Sequence, residues 1–571
     1  MFDTPVAHPY NLNPCYPPMV GAVGSGWCAA AATLPTGSRV LAIDGPAALD
    51  WEAVVDGLAT ALDDGELKVL RLDTRQFFVP WGELLARAEQ GFLAEDPDFA
   101  TRATGDLADF FADLPWVQPP TAGAMLVVYG PGAALVDHDV LWYADLPKRH
   151  AEAAITAGTG RNLGQPHHAG PGTTRRLFYI DWPLLDRHRD AIAPRVALWL
   201  DTQEDVVTWL DGEALRRTLA DLSGRPIRTR PTFNSTSWGG HWAQRELGFN
   251  PEARNTAIGY ELIAPESGVL IGERGHPKIE VPFQLLVALH PVRVLGERVH
   301  AEFGTSFPIR FDFLDTVDGG NLSLHCHPRE EYMREVFGWP YPQHETYYVM
   351  VGGPGCKVYL GLHDADVSDF RDQALAADNH RQPFDVEQHV QTFPADAHQL
   401  FLIPAGTPHA SGKGNVVLEV SATPYLYSLR FYDWLRRDDN GNDRPVHIDH
   451  AFNNLDRDRV GIQVRNDLVQ QPRTLRTGDG WREEMIGDLP EMFYEVRRFV
   501  LDSDRAATDD TAGRFHMLNV VDGDGVVLET SGGHRCTLAF AETLTVPAEV
   551  GAYTLRRAGT GRTQVVKAVV R

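Results

Sequence analysis

The stretch Gly319-Gly320-Asn321-Leu322-Ser323-Leu324-His325-Cys326-His327-Pro328 carries the plainest chemistry in this 571-residue chain. On an extended strand residues i and i+2 project to the same face, so His325 and His327 can offer two imidazoles to one point while Cys326 faces away. A second segment, Gln343-His344-Glu345-Thr346-Tyr347-Tyr348-Val349-Met350, alternates like a strand and carries Glu345. His344 beside it must face the other side and is excluded as a ligand. A third, Pro404-Ala405-Gly406-Thr407-Pro408-His409, is a tight turn ending on a histidine. Three imidazoles and one carboxylate brought together from three strands would form a divalent-metal shell with open positions. Taken singly, each piece also reads as plain structure: an HxH pair among 22 histidines, a surface strand carboxylate, a turn residue.

Such a shell needs a barrel of short strands. Past Thr232 the chain is rich in short alternating segments, Pro and Gly, and helical spacing is confined chiefly to residues 329–336, with a second patch at 451–455. Residues 397–406 and 541–548 resemble each other, as matching corners of two β-barrels would. The residue five past Pro547 is Ala552, where His409 lies five past Pro404, so the second barrel is expected to be metal-free. Upstream the texture is α/β. Val40-Leu41-Ala42-Ile43, Lys68-Val69-Leu70-Arg71-Leu72, Met125-Leu126-Val127-Val128-Tyr129 and Val196-Ala197-Leu198-Trp199-Leu200 read as strands, and Trp51, Val54, Val55, Leu58 and Leu62 have helical spacing. Apolar strands alternating with helices imply a parallel sheet covered on both faces. The expected organisation is an irregular arm (1–38, with Pro5, Pro9, Pro14, Pro17 and Pro18) wrapped on the body or partly disordered, an α/β domain (39–227), a metal-binding β-domain (228–450) and a second β-domain (451–571).

Ile43-Asp44-Gly45-Pro46 lies between a strand and a helix, the context of a GxxxxGK[ST] phosphate loop. Counted from Gly45, however, Asp50, Trp51 and Glu52 stand where glycine, lysine and hydroxyl are required, so an anion would be repelled. Gly130-Pro131-Gly132 reads as a strand-to-loop corner that uses glycine for unusual φ. Residues 39–225, with Arg71-Leu72-Asp73-Thr74-Arg75-Gln76-Phe77-Phe78 after the second strand, resemble uridine-kinase-like P-loop proteins, which implies a kinase-like scaffold without kinase function.

The order G-x5-HxH, Glu, P-x-G-x2-H resembles the two-part motif of cupins, double-stranded β-barrels. With Ser237-Trp238-Gly239-Gly240, Gly355-Cys356-Lys357-Val358-Tyr359-Leu360-Gly361-Leu362, residues 404–414 and Phe431-Tyr432-Asp433-Trp434, residues 228–571 look like a class I mannose-6-phosphate isomerase. The resemblance implies a double cupin and a zinc-dependent aldose–ketose isomerase working through an enediolate. Its metal ligands fall on His325 (in place of a glutamine), His327, Glu345 and His409, and its active-site glutamate and arginine on Glu419 and Arg430. In that chemistry a metal polarises the sugar oxygens, a base moves a proton between carbons, and a cation stabilises the enediolate. Two positions depart from the family. His325 makes a three-histidine, one-glutamate shell that iron and manganese cupins also use, so Fe2+ or Mn2+ stands as the alternative to Zn2+. Gln343 stands where a lysine near the substrate is usual, which shifts any phosphate contact to arginines such as Arg310 or Arg329. The rival readings are an isomerase of an unphosphorylated sugar, an iron or manganese oxygenase-type cupin, and a non-catalytic sugar-binding regulatory protein.

A formal charge of −25 argues against nucleic acid and anionic membrane surfaces as partners, and it works against anionic substrates too. The partner expected is a small sugar or sugar phosphate. Five scattered cysteines without a CxxC, no basic start followed by an apolar run, and no stretch of 18 apolar residues point to a cytoplasmic protein. Nothing in the sequence sets the oligomeric state.

Overall fold

The computed structural model describes residues 9–63, 67–89, 91–424, 426–438 and 441–571; residues 1–8, with Pro5 of the expected arm, lie outside the described residues. Val40–Asp44, Val140–Asp145 and Leu198–Asp201 are apolar runs buried along their whole length, as inner strands of a parallel sheet must be. Across the sheet the order is Gly24–Ser25, Thr208–Asp211, Leu198–Asp201, Val140–Asp145, Val40–Asp44, Ala124–Tyr129 and Lys68–Asp73. The last five are mutually parallel. Thr208–Asp211 pairs antiparallel with Leu198–Asp201, because the short turn between them leaves no room for a crossover, and Gly24–Ser25 adds a second antiparallel edge. The sheet is therefore mixed rather than wholly parallel. It also holds a strand, Val140–Asp145, that the sequence reading leaves out, since only a three-residue 3-10 turn, Ala133–Leu135, separates it from Ala124–Tyr129. The two flank Val40–Asp44 on opposite sides.

The arm is more ordered than its prolines suggest. Cys15–Tyr16 pairs parallel with Gly268–Gly272, far along the chain, and Trp27–Ala31 is a short helix. The Tyr16 hydroxyl accepts the Arg228 N–H at 2.7 Å. Residues 9–25 thereby stitch the α/β sheet to the β-structure that follows.

The loop after Val40–Asp44 is closed by its own residues. Asp44, fully buried, accepts N–H groups from Gly45 (2.8 Å), Gly132 (3.3 Å) and Ala134 (2.8 Å) and lies 2.8 Å from Nε2 of His188. Gly132 has φ +82°, so the Gly130-Pro131-Gly132 turn uses the left-handed region open to glycine and aims these amides at the carboxylate. Trp51 is buried over the loop and donates to the Pro46 carbonyl at 3.2 Å.

Downstream, two sheets form the first β-unit. One orders Leu400–Ile403, Glu345–Val351, Val416–Ala422, Ile309–Asp315, Ile258–Leu262 and Thr232–Asn234; the other Val390–Pro394, Lys357–Leu362, His409–Ser411, Leu324–Cys326 and Leu429–Tyr432. A six-stranded and a four-stranded sheet follow between Arg473 and Val570. The two matching corners are real: His398 (φ +70°) and Ala541 (φ +69°) each stand two residues before a strand, Leu400–Ile403 and Thr543–Val546, and a proline follows each strand. Helix is more abundant here than expected. Glu330–Glu335 and Ile448–Asn454 occupy the two anticipated patches, but Ser368–His380 is longer, and Phe283–Leu289, Pro291–Leu295 and Glu297–Phe303 run in succession. Ser368–His380 buries only Phe370, Ala374 and Ala377, too thin a stripe to stand out as periodicity.

The two halves share one continuous apolar core. At their junction Glu280, almost fully buried, pairs with Arg149 (2.7 Å) and Arg230 (2.8 Å), and its N–H donates to Asp201 at 2.7 Å. Burial opposes ionisation of Glu280, yet the two guanidiniums hold its carboxyl below the usual range. Among the described residues no helix is long and apolar enough to cross a membrane.

Because Asp44 is the shared acceptor for three amides and His188, Asp44→Ala should destabilise the α/β sheet by about 3–5 kcal/mol. Urea unfolding followed by tryptophan fluorescence measures this. A loss below about 1 kcal/mol would mean that the freed amides find other partners.

Candidate metal centre and its cavity

His325 lies on Leu324–Cys326, opposite His409 on one neighbouring strand and Arg430 on the other. Strand alternation works as expected. Cys326 points away, with Sγ 3.6 Å from the Ala451 carbonyl, while the His325 and His327 rings lie 5.1 Å apart and the His325 and His409 rings 4.2 Å apart. Glu345 opens the strand Glu345–Val351 on the facing sheet. His344 points outward and its Nδ1 accepts the Ala405 N–H at 3.2 Å.

Each of the three imidazoles turns Nδ1 toward a backbone carbonyl: His325 to Ser323 (2.7 Å), His327 to Tyr427 (3.2 Å) and His409 to Thr407 (2.9 Å). A carbonyl only accepts, so Nδ1 carries the proton and Nε2 presents a lone pair. One ring nitrogen from each histidine lies within 4.8 Å of the others. Glu345 joins them, with one oxygen 2.7 Å from His327 Nε2 and the other 3.5 Å from His409 Nε2. The Glu345 Oε1 and His409 Nε2 atoms are buried without a hydrogen-bond partner. Lone pairs facing one another at this range repel unless a cation lies among them, so the donor set fits a divalent ion. Burial, reinforced by His409 and His327, drives the His325 pKa well down. Burial also lowers that of His327, against the pull of Glu345. Burial opposes the charge on Glu345, but His327 and His409 hold its carboxyl well below the usual range. Neutral imidazoles and an ionised carboxylate are the protonation states that ligation requires.

His325, His327 and Glu345 line a cavity of about 490 Å³, with His409 fully buried behind them. Glu419 lines it, but its carboxylate is held by Arg310 Nη2 and accepts the Ser421 hydroxyl at 2.9 Å. Burial pushes Glu419 well up, with Arg310 opposing. It is committed to placing Arg310, which narrows the orienting or proton-shuttling role that the sequence suggests. Arg430 lines the same cavity, and its Nη1 donates to the Pro445 carbonyl at 3.1 Å. Burial and then Arg444 pull its pKa down to about 10, so it remains a cation at neutral pH. Gln343 is buried beside the cluster; turned to satisfy its neighbours, its amide donates to the Pro424 carbonyl (2.7 Å) and accepts from Arg310 Nη2 (3.2 Å). Arg329 is not in the cavity. Pro328 turns the chain outward, and Arg329 is exposed at the start of Glu330–Glu335.

Several cavity residues escape the sequence reading. Asp312 lies two residues from Arg310 on Ile309–Asp315, and burial, against Arg310, pushes its carboxyl up to about 7. Charges at i and i+2 inside the apolar run Ile-Arg-Phe-Asp-Phe were the signal available. Tyr260, His447, and Asp98 and Phe99 of the α/β half also line the cavity, and nothing in their local sequence marks them.

Residues 26–224 match a family described as a domain of unknown function (DUF8485). A mannose-6-phosphate isomerase of Streptococcus mutans serotype c is 30% identical over 234 residues, covering 40% of this chain and 67% of that protein. The mannose-6-phosphate isomerase ManA of Bacillus subtilis is 26% identical over 231 residues, again 40% of this chain and 67% of the relative. A crystal structure of the B. subtilis mannose 6-phosphate isomerase aligns with 60% of this chain and 99% of its own, at 19% identity and a TM-score of 0.48. The fold sets a mixed α/β sheet beside paired β-sheets, and the site is a buried cluster of three histidines and a glutamate whose donors fit a divalent ion. By its relatives, the chain belongs to the mannose-6-phosphate isomerase family.

An ion on these donors should bind the folded chain alone. After chelation, zinc at a thousandfold excess over its Kd should add about 4 kcal/mol of stability. His409→Ala should remove that gain, as read by thermal melting with and without zinc. An undiminished zinc response in this variant would place the ion elsewhere.

Proposed function

We propose that this chain is a metal-dependent isomerase that interconverts mannose 6-phosphate and fructose 6-phosphate, with a zinc ion held by His325, His327, Glu345 and His409. The observation that carries the reading is the convergence of three imidazoles and the Glu345 carboxylate beside a cavity that His325, His327 and Glu345 line, in a chain of this family. Bound there, the ion would polarise the carbonyl and hydroxyl oxygens of the open-chain sugar. The remaining work falls to side chains. Asp312, whose carboxyl gives up its proton at about pH 7, takes the proton from C2 of the aldose in its ionised form and returns it to C1, while the hydroxyl proton passes from O2 to O1. Arg430 stabilises the negative charge that develops on the enediolate oxygens. Arg310, anchored by Glu419 and Ser421, keeps Asp312 from drifting to a higher pKa.

We assign the β-part, 228–450 and 451–571, to two cupin barrels, and 39–227 to a kinase-like scaffold. The strand order around Val40–Asp44 and the loop that follows it, whose amides turn to the Asp44 carboxylate, support that scaffold. Free cysteines on every described strand and loop that carries one suit a reducing cytoplasm.

A second reading, the same reaction on an unphosphorylated sugar, is favoured by one observation. Of the cavity arginines, Arg310 is committed to Glu419, Arg175 to Glu89 and Arg444 to Asp433, and Gln343 replaces the expected lysine. Comparing kcat/KM for mannose 6-phosphate and mannose decides between them.

Arg430→Ala should lower kcat by about 10²–10³ while zinc content is unchanged, because arginine is no ligand. Arg430→Lys should recover part of the loss. Unchanged turnover would assign the role to another cation. If Asp312 is the base, kcat/KM should rise with pH through about 7, as the carboxyl loses its proton, and Asp312→Asn should abolish that rise.

A further inference from the structure

We propose that Asp98 and His447, one from each half of the chain, form a hydroxyl-binding corner of the cavity, so that the α/β half reads part of the sugar. The proposal rests on the isomerase reading of that cavity and gives a task to a region of unknown function. His447 is locked to the barrel. Its N–H donates to the Arg430 carbonyl at 2.8 Å, and its Nδ1 accepts the Arg430 N–H at 3.1 Å. Nδ1 is thus an acceptor, and the ring proton sits on Nε2. That nitrogen faces Asp98 Oδ2 at 3.6 Å, too far for a direct hydrogen bond. An oxygen about 2.8 Å from both atoms completes the triangle, accepting from the imidazole and donating to the carboxylate. A sugar hydroxyl has that dual character; a phosphate, with no proton to give and a like charge, does not.

The corner is built, not incidental. The segment bearing Asp98 is clamped to the barrel half by Thr101 Oγ1 donating to Val336 (2.7 Å), the Arg102 N–H donating to Phe337 (2.9 Å), and Asp96 2.8 Å from His450 Nε2. The Phe99 ring packs on the His447 ring at 4.6 Å and fixes its plane. Asp98 keeps a third of its side chain exposed, against 7% for His447, and both line the cavity. The corner lies beside Arg430, whose charge feels Asp98, so a hydroxyl held there belongs to the same sugar that meets the guanidinium.

The test uses the zinc-loaded full chain with Asp98→Ala and Asp98→Asn. KM is measured for mannose 6-phosphate and for its singly deoxygenated analogues, and calorimetry gives the Kd of mannitol 6-phosphate, a non-isomerisable polyol. Asp98→Ala should raise KM and the polyol Kd by about tenfold to a hundredfold, with kcat within twofold and the melting temperature unchanged. Asp98→Asn should recover part of the affinity. One deoxy analogue, lacking the hydroxyl that is read, should be insensitive to both substitutions. Equal KM and Kd in wild type and Asp98→Ala would overturn the proposal, as would an equal effect on every analogue, the mark of a merely structural role. Polyol binding that needs Asp98 in a protein without turnover would retain the corner and sink the isomerase reading; turnover with Asp98-independent binding would do the reverse.

Discussion

Three imidazole nitrogens and a carboxylate converge, buried, between two facing sheets, each with its lone pairs turned toward the others. Burying these groups is costly on its own account, since each loses water and gains an acceptor for a neighbour. The surrounding structure answers that cost locally. Three backbone carbonyls set the tautomers of His325, His327 and His409, and the two facing sheets bring Glu345 against them. A divalent cation would supply the missing partner. The Arg310, Glu419 and Asp312 group on the adjoining strands is the next layer, in which one guanidinium is shared by two carboxylates that burial pushes toward neutrality.

The net charge of −25 and the handling of an anionic or polyhydroxy substrate are reconciled at this scale. Most arginines near the site are consumed by nearby carboxylates or carbonyls, and Arg430, held by the Pro445 carbonyl, keeps its charge for the cavity. Long-range repulsion is screened over about 8–10 Å in physiological salt, whereas a cation inside a cleft acts at full strength. What matters for binding is therefore which guanidiniums lack a carboxylate, not the total.

The α/β half satisfies a corner of converging backbone amides from within: its strand-to-loop corner aims amides at one point, and Asp44 fills that point. The half then packs through a shared apolar core onto the barrel and contributes one wall of its cavity. Glu280, with its arginine pair, and the arm residues crossing between sheets hold the two halves in register.

The sequence by itself determined the parts that depend on local periodicity. Alternation along a strand placed His325 and His327 together and sent Cys326 and His344 the other way. The two matching corners were readable because a proline follows each short strand. Local spacing was silent wherever pairing is long-range. It did not show the antiparallel edge of the first sheet, the thinly apolar helix Ser368–His380, or the outward turn that removes Arg329 from the cavity. It placed Glu419 at the site without its partner, because an ion pair 109 residues apart in the chain leaves no local mark. Only the tertiary structure decided that Asp98, from the other half, stands 3.6 Å from His447, since contacts across a domain junction are set by how two cores pack and not by any periodicity within either.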